Sequence, residues 1–447
     1  MQDLTQGPIR QHLVRMAVPM AIGMLMQTLY FLVDLYFVGR LGDAALAGVG
    51  AAGTLTMVVV ALTQVLGVGT VALIAQAVGR KDAADANLVF NQSLAMAAGC
   101  FVITALGGYA IAGPYMNAMG ADAATAAAGA TYLRWYVPGL ALQFALVAMG
   151  SALRGTGIVK PAMAVQMITV LLNVVLAPIL IAGWGTGRPM GVAGAGLAST
   201  IAVAVGVVVL YGYFHRLEKY VHVHAGQWRP RSEAWRRILA IGVPAGGEFL
   251  LMFVIMAVIY ASVRQFGPDA QAGFGIGARV MQAMFLPAMA LAFAIAPVAG
   301  QNFGAQLHER VRETFKSALA MSCVFMALLT LVCQWWPQPL VRGFADDPGV
   351  IAVGATYLSI ISWNFVAAGI NFSCSGMFQA LGNTVPALVS SGGRLVTFVL
   401  PILWLARRPG IELRDFWYVS VASTALQAVT SLLLLRMVMR QKLRPAP

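Results

Sequence analysis

Residues 1–215 of this chain return, diluted but in register, 225 positions later. Val18-Pro19 recurs as Val243-Pro244, and Gly42, Gly48 and Gly50 recur as Gly267, Gly273 and Gly275. Gln76 with Gly79 returns as Gln301 with Gly304, and Asp122 returns as Asp347. Thr131-Tyr132-Leu133 returns as Thr356-Tyr357-Leu358, and Gly157 with Pro161-Ala162 as Gly382 with Pro386-Ala387. Alanine matches carry little weight in so Ala-rich a sequence. Glycine, proline, glutamine, tyrosine and aspartate held at one offset carry a great deal. Both copies are strings of apolar segments about 20 residues long, the length a helix needs to cross about 30 Å of hydrocarbon. The fold must be built twice, and in a membrane.

Twelve spans are predicted, near 16–38, 46–70, 88–112, 130–150, 162–184, 192–214, 240–262, 272–297, 315–336, 355–378, 386–406 and 416–436. Six per copy return each half to the side where it began. The halves are therefore a parallel repeat about an axis along the membrane normal, a usual build of secondary transporters. The expected fold class is an all-α integral membrane protein of two pseudo-symmetric six-helix bundles. The expected borders are an amino-terminal lobe at 1–215, a basic linker at 216–237 and a carboxy-terminal lobe at 238–447. Prolines fall inside several spans, at Pro19, Pro138, Pro178, Pro287, Pro297 and Pro401. Each is a place where a kink is expected.

The net charge of +13 invites a nucleic-acid reading, but its distribution opposes one. With both termini in the cytoplasm, the inside segments carry Arg10, Arg15, Arg80, Lys81, Arg154 and Lys160. They also carry the six basic residues from Arg216 to Arg237, Arg310, Arg312, Lys316, and the four from Arg436 to Arg444. The outside loops hold only Arg40, Arg188, Arg264, Arg342, Arg407, Arg408 and Arg414. That bias is the positive-inside pattern, and it sets the orientation. The surplus also suits anionic lipid headgroups, and no nucleic-acid partner is expected. The first span is too long for a cleaved signal peptide and is expected to stay as a helix.

Cys100, Cys323, Cys333 and Cys374 lie in apolar spans without metal-type spacing and read as small core residues. His222-x-His224 reads as part of a solvated loop. No GxSxG, HExxH or paired intramembrane histidine points to an enzyme.

Few ionisable residues fall inside the spans: Asp34, Glu248, Arg279 and Arg394, with Arg134 near an end. A charge at mid-membrane costs about 2.5–3.5 kcal/mol on insertion scales, so each is a functional candidate. The plainer reading makes each acid a helix–helix hydrogen-bond or ion-pair partner, with Arg279 and Arg394 as candidate cations. The repeat argues against a shared scaffold role, because Asp34 faces Ile259 and Glu248 faces Gly23 at the offset. Around Asp34, the same lobe offers Tyr30 one turn earlier, Asn173, and Ser199-Thr200. Such oxygens suit a proton relay or a hard monovalent cation.

These residues carry a resemblance. Over essentially its whole length the chain resembles the multidrug and toxic compound extrusion (MATE) family. The likeness rests on PMAIGMLMQTLYFLVDLYFVGRLG with Asp34, on ALRGTG and QALGNT, on GQNFG at 300–304, on NVVLAPILI and on VAGAGLAST. It implies a V-shaped pair of six-helix bundles exporting organic, often cationic amphiphilic, compounds in exchange for H+ or Na+. By position, Asp34, Asn173 and Thr200 look like the cation-coupling cluster, with Tyr30 beside it, and Glu248 like the acid of span 7. Two departures matter. Ala177 stands where many members carry an Asp, and WNFVAAGINFSCSGM lacks the acid of some branches. With one carboxylate, H+ is favoured over Na+ at Asp34/Asn173/Thr200.

The expectation is a monomeric exporter of the bacterial inner membrane, needing no cofactor beyond its coupling ion. In it, span 1 repacks around Pro19 when Asp34 binds that ion. Met20, Met24, Met252, Met256, Met281 and Met284 are candidate pocket residues, since methionine surfaces adapt to varied ligands. The rival reading is a lipid-linked oligosaccharide flippase of related architecture, which would want a strongly cationic cavity. Only Arg279 and Arg394 would serve it.

Overall fold

The computed structural model describes residues 1–120 and 122–443; Arg444, counted above among the inside charges, lies outside them. The described chain is helical throughout, without strands. The first bundle comprises α1 (Ile9–Gly39), α2 (Asp43–Gly79), α3 (Ala83–Met119), α4 (Ala123–Gly155), α5 (Lys160–Ile181) and α6 (Val192–Arg216). The second comprises α7 (Ser232–Val263), α8 (Pro268–Gly304), α9 (His308–Trp335), α10 (Pro337–Arg342), α11 (Pro348–Ile361), α12 (Asn364–Ala380), α13 (Val385–Leu405) and α14 (Leu413–Lys442). Eleven of the described helices are long and apolar enough to cross a membrane, and α11 with α12 forms a twelfth span bent by 56°. The chain is a multi-pass membrane protein of two six-helix bundles.

Several of the residues shared at the 225 offset turn out to be joints of the scaffold, although a Cβ on Gly50 or Gly275 would meet no neighbour. A Cβ on Gly48 would stand 2.7 Å from the Gly129 nitrogen and from the Thr125 carbonyl. On Gly273 it would stand 2.6 Å from Val353 and 2.9 Å from the Val350 carbonyl. Val350 and Val353 are Thr125 and Ala128 moved on by the offset, so the same close helix crossing is made twice. Asp122 caps α4 by accepting from the Thr125 N–H at 2.7 Å. Asp347 caps α11 by accepting from the Gly349 and Val350 N–H groups at 2.8 and 3.1 Å. Both satisfy donors that a helix start leaves open. Even the turn after the second span of each copy recurs, with Lys81 and Gln306 both at φ 60°.

The expected prolines do not break their helices: Pro19, Pro138, Pro178, Pro287, Pro297 and Pro401 all lie within continuous ones. A bend of 56° between two helices falls at Ser362-Trp363, where there is no proline. Thr330 of α9 donates to the Ser362 carbonyl at 2.8 Å, and Gln334 of α9 donates to the Ser359 carbonyl at 2.5 Å. Side chains of a neighbouring helix thus take carbonyls near the break, a recognised cause of a kink.

The chain forms two compact units whose borders differ from the expected 1–215, 216–237 and 238–447. Unit 1 holds Met1–Asp3 and Ile22–Gly242; unit 2 holds Leu4–Ala21 and the chain from Val243 onward. Each copy's first helix is therefore divided, α1 between Ala21 and Ile22 and α7 between Gly242 and Val243. Hydrogen bonds explain the assignment. In unit 2 the Leu4 N–H donates to Gln301 at 2.9 Å, and Asn302 and Arg310 donate to the Leu4 and Gly7 carbonyls at 3.1 and 3.0 Å. In unit 1, Asn87, Asn91 and Gln92 of α3 hold the backbone of Tyr220, His222, His224, Arg229 and Arg231 at 2.7–3.0 Å. The basic linker is thus strapped down, although the His222 and His224 rings remain exposed. A two-toothed pairing of Arg237 with Asp85, at 2.8 Å on each tooth, fixes the start of α7 to α3.

Candidate functional site

The interior of unit 1 gathers polar groups that an apolar bundle would not carry. Asp34 sits five residues before the end of α1, is 7% exposed, and its Oδ1 has no hydrogen-bond partner among the described residues. Asn173 of α5 is fully buried, and neither its Oδ1 nor its Nδ2 finds a partner among them. Leaving a buried amide or carboxylate oxygen unsatisfied costs about 1–3 kcal/mol per group. Two such residues lie within this unit.

Tyr30, one turn before Asp34 on α1, bonds Ser199 of α6 at 2.5 Å. The phenols of Tyr30, Tyr132 and Tyr136 lie within electrostatic reach of the Asp34 carboxyl. Thr200 faces α4, where its hydroxyl donates to the Trp135 carbonyl at 2.6 Å. Gly139 permits that approach, since a Cβ there would stand 2.9 Å from the Thr200 hydroxyl oxygen. Tyr30 is thus joined to α6. Asp34, Asn173 and Thr200 share the unit, but none of the three hydrogen-bonds another. Ala177, one turn after Asn173, is fully buried and offers no oxygen.

Beside Tyr30 lies a small cavity of about 40 Å³, room for a few water molecules. Its polar lining is Gln27, Gln143, Gln166, Thr169, Tyr30, Tyr136 and Ser199. Gln166 of α5 donates to Gln27 of α1 across it. The three glutamines were missed because amides carry no charge and so do not stand out as ionisable groups do. Spacing would have found them. Gln27 and Tyr30 are three apart, and Gln166, Thr169 and Asn173 stand at i, i+3 and i+7, each set on one helix face.

Unit 2 places the remaining candidates apart. Glu248, half-buried midway along α7, accepts from Ser375 of α12 at 2.9 Å. That bond is the helix–helix hydrogen bond of the plainer reading, while the ion pair with Arg279 or Arg394 is not made. Arg279 is exposed on α8. Arg394 of α13 lies near Tyr357 of α11, and its Nε has no partner among the described residues. Two of the methionines named as pocket candidates belong to the core of this unit. The Met281 sulfur accepts from the Tyr357 hydroxyl at 3.3 Å, and the Met284 sulfur from the Cys333 thiol at 3.4 Å. Pro19 lies in the part of α1 assigned to unit 2, and Asp34 in the part assigned to unit 1.

Comparison with known proteins agrees with the doubled architecture. The profile of the MatE family matches twice, over residues 19–179 and again over 244–405. A probable multidrug resistance protein of Bacillus subtilis, YpnP, is 26% identical over 93% of this chain and 90% of its own length. An FAD transporter of Shewanella oneidensis is 25% identical over 89% of this chain and 88% of its own. A solved structure described as the outward-facing conformation of a multidrug resistance MATE family transporter superposes with a TM-score of 0.92, at 24% identity over 98% of each chain.

Proposed function

This chain belongs to the MatE family, and we propose that it is a secondary active exporter of organic, often cationic amphiphilic compounds, driven by inward H+ with Na+ as the second choice. The observation that carries the reading is Asp34, a buried carboxylate with an unpartnered oxygen in a unit rich in polar side chains. A proton or a monovalent cation supplies the missing partner. Its binding changes what α1 can pack against, and a ligand shifts a two-state equilibrium only by its differential affinity for the two states. Exchange of one H+ for one singly charged cation moves no net charge, so the pH gradient drives it, at about 1.4 kcal/mol or a ten-fold cargo gradient per pH unit.

In this reading Asp34 binds the coupling ion, and Tyr30 and Tyr136 line its approach. Asn173 and Thr200 add neutral oxygens; with Ala177 in place of an acid, the set suits H+ better than Na+. Glu248 responds to ion or cargo from unit 2. The basic termini lie in the cytoplasm, the protein sits in a bacterial inner membrane, and it works as a monomer.

A second reading concerns the cargo alone. Arg279 is exposed and Arg394 has no acid partner among the described residues, and one relative is named for an anionic cofactor. An anionic or zwitterionic cargo would use those arginines. Dye efflux from energised vesicles, with pH and Na+ gradients imposed separately, tests both. Export of ethidium driven by ΔpH alone is the expected result. A strict Na+ requirement would overturn the ion, and export of flavin without ethidium would overturn the cargo. Absence of any gradient-driven transport would favour the flippase reading.

A further inference from the structure

Unit 2 holds a second and much larger cavity, a groove of about 630 Å³ between the first turns of α1, the middle of α8 and one face of α9. Apart from Arg10, Ser317 and Ser322, every side chain lining it is apolar. Arg10, Val14 and Val18 follow one another along a single face of α1, so the guanidinium stands at one end and hydrocarbon runs away from it. Along α9 the lining extends from Ser317 to Leu328, about 16 Å of helix. Half the hydrocarbon thickness of a bilayer is about 15 Å. The groove therefore has the length of one leaflet's acyl layer.

Its charge selects the occupant. Arg10 is exposed and forms no ion pair with any described residue. Arg310, Arg312 and Lys316 belong to the same end of the same unit, at the start of α9, and positive-inside patterning turns that end toward the leaflet richer in anionic lipid. A cationic amphiphile would meet Arg10 head-on, whereas a phosphodiester would satisfy it. We propose that this groove binds one anionic phospholipid, with an acyl chain along α9 and the headgroup phosphate on Arg10. The lipid then packs against the stretch of α1 that ends next to Pro19, and its occupancy holds those turns on unit 2.

Native mass spectrometry of the full-length protein, released from micelles doped equally with phosphatidylglycerol and phosphatidylcholine, tests this. One retained phosphatidylglycerol is expected, favoured over phosphatidylcholine about five-fold, the preference that one basic residue at an anionic headgroup supplies. Arg10→Gln should abolish the preference while leaving some lipid of either kind bound. Ala320→Phe, which fills the groove from an exposed position on α9, should remove the retained lipid altogether. Equal retention of the two lipids by the unaltered protein would overturn the proposal. So would a preference that survives both substitutions, or displacement of the bound phosphatidylglycerol by ethidium.

Discussion

The two units share a scaffold and differ in what fills it. In unit 1, Tyr30, Asp34, Tyr136 and Asn173 make a polar interior. The same places 225 residues later hold Ile255, Ile259, Ile361 and Phe398. All four belong to the buried apolar core of unit 2, with Trp417, Phe274 and Tyr357. Duplication kept the joints, namely the crossing glycines and the capping aspartates, and released the interior. One copy spends that freedom on packing, which apolar side chains do at no desolvation cost. The other spends it on a carboxylate and amides that packing does not need. The ion-linked chemistry proposed above therefore draws on the interior of unit 1, for which unit 2 has no counterpart at these four places.

The largest expected effect comes from moving the acid across the repeat. Ile259→Asp puts a carboxylate at the place of Asp34 but among Ile255 and Phe398, and should cost about 2.5–3.5 kcal/mol with no gain in ion coupling. Thermal unfolding in detergent reads the loss. Stability equal to the unaltered protein would show that unit 2 tolerates polarity there as unit 1 does, and the contrast would fall.

Next come the crossings, where the units should behave alike. Gly48→Ala and Gly273→Ala each press a methyl group within 3 Å of the facing helix. Overpacking of this kind typically costs about 1–3 kcal/mol. Matching drops in Tm are expected. A drop in one alone would mean that the shared glycines are not equivalent joints.

The smallest effect should come from the caps. Asp347 accepts from the Gly349 and Val350 N–H groups and Asp122 from the Thr125 N–H, so Asp347→Ala and Asp122→Ala should each lower Tm through the loss of one cap, about 0.5–2 kcal/mol. The Thr125 N–H holds the Asp122 carboxyl below the usual carboxylate range. That cap is therefore whole above the ordinary pKa of about 4 and is lost as pH falls through its lower folded value. Thermal scans between neutral and acid pH should show the difference between Asp122→Ala and the parent shrinking toward acid.

What the sequence disclosed follows the same division. The twelve spans were legible because hydrocarbon thickness fixes their length, and the joints because only the repeat kept them. Asp34 was legible because an acid in a membrane is costly. Gln27, Gln143 and Gln166 escaped because an amide costs less than a charge and leaves a fainter mark. The bend at Ser362-Trp363 escaped because its cause lies on α9, in Thr330 and Gln334, far away in sequence. The assignment of Leu4–Ala21 to unit 2 rests on hydrogen bonds to Gln301, Asn302 and Arg310, which no local pattern announces.

The most direct test of Asp34 separates coupling from transport. Reconstituted Asp34→Asn protein should still exchange labelled ethidium for unlabelled ethidium across vesicles without a gradient, and should fail to accumulate it when ΔpH is imposed. Accumulation driven by ΔpH at the rate of the unaltered protein would contradict the account, because the coupling ion would then bind elsewhere.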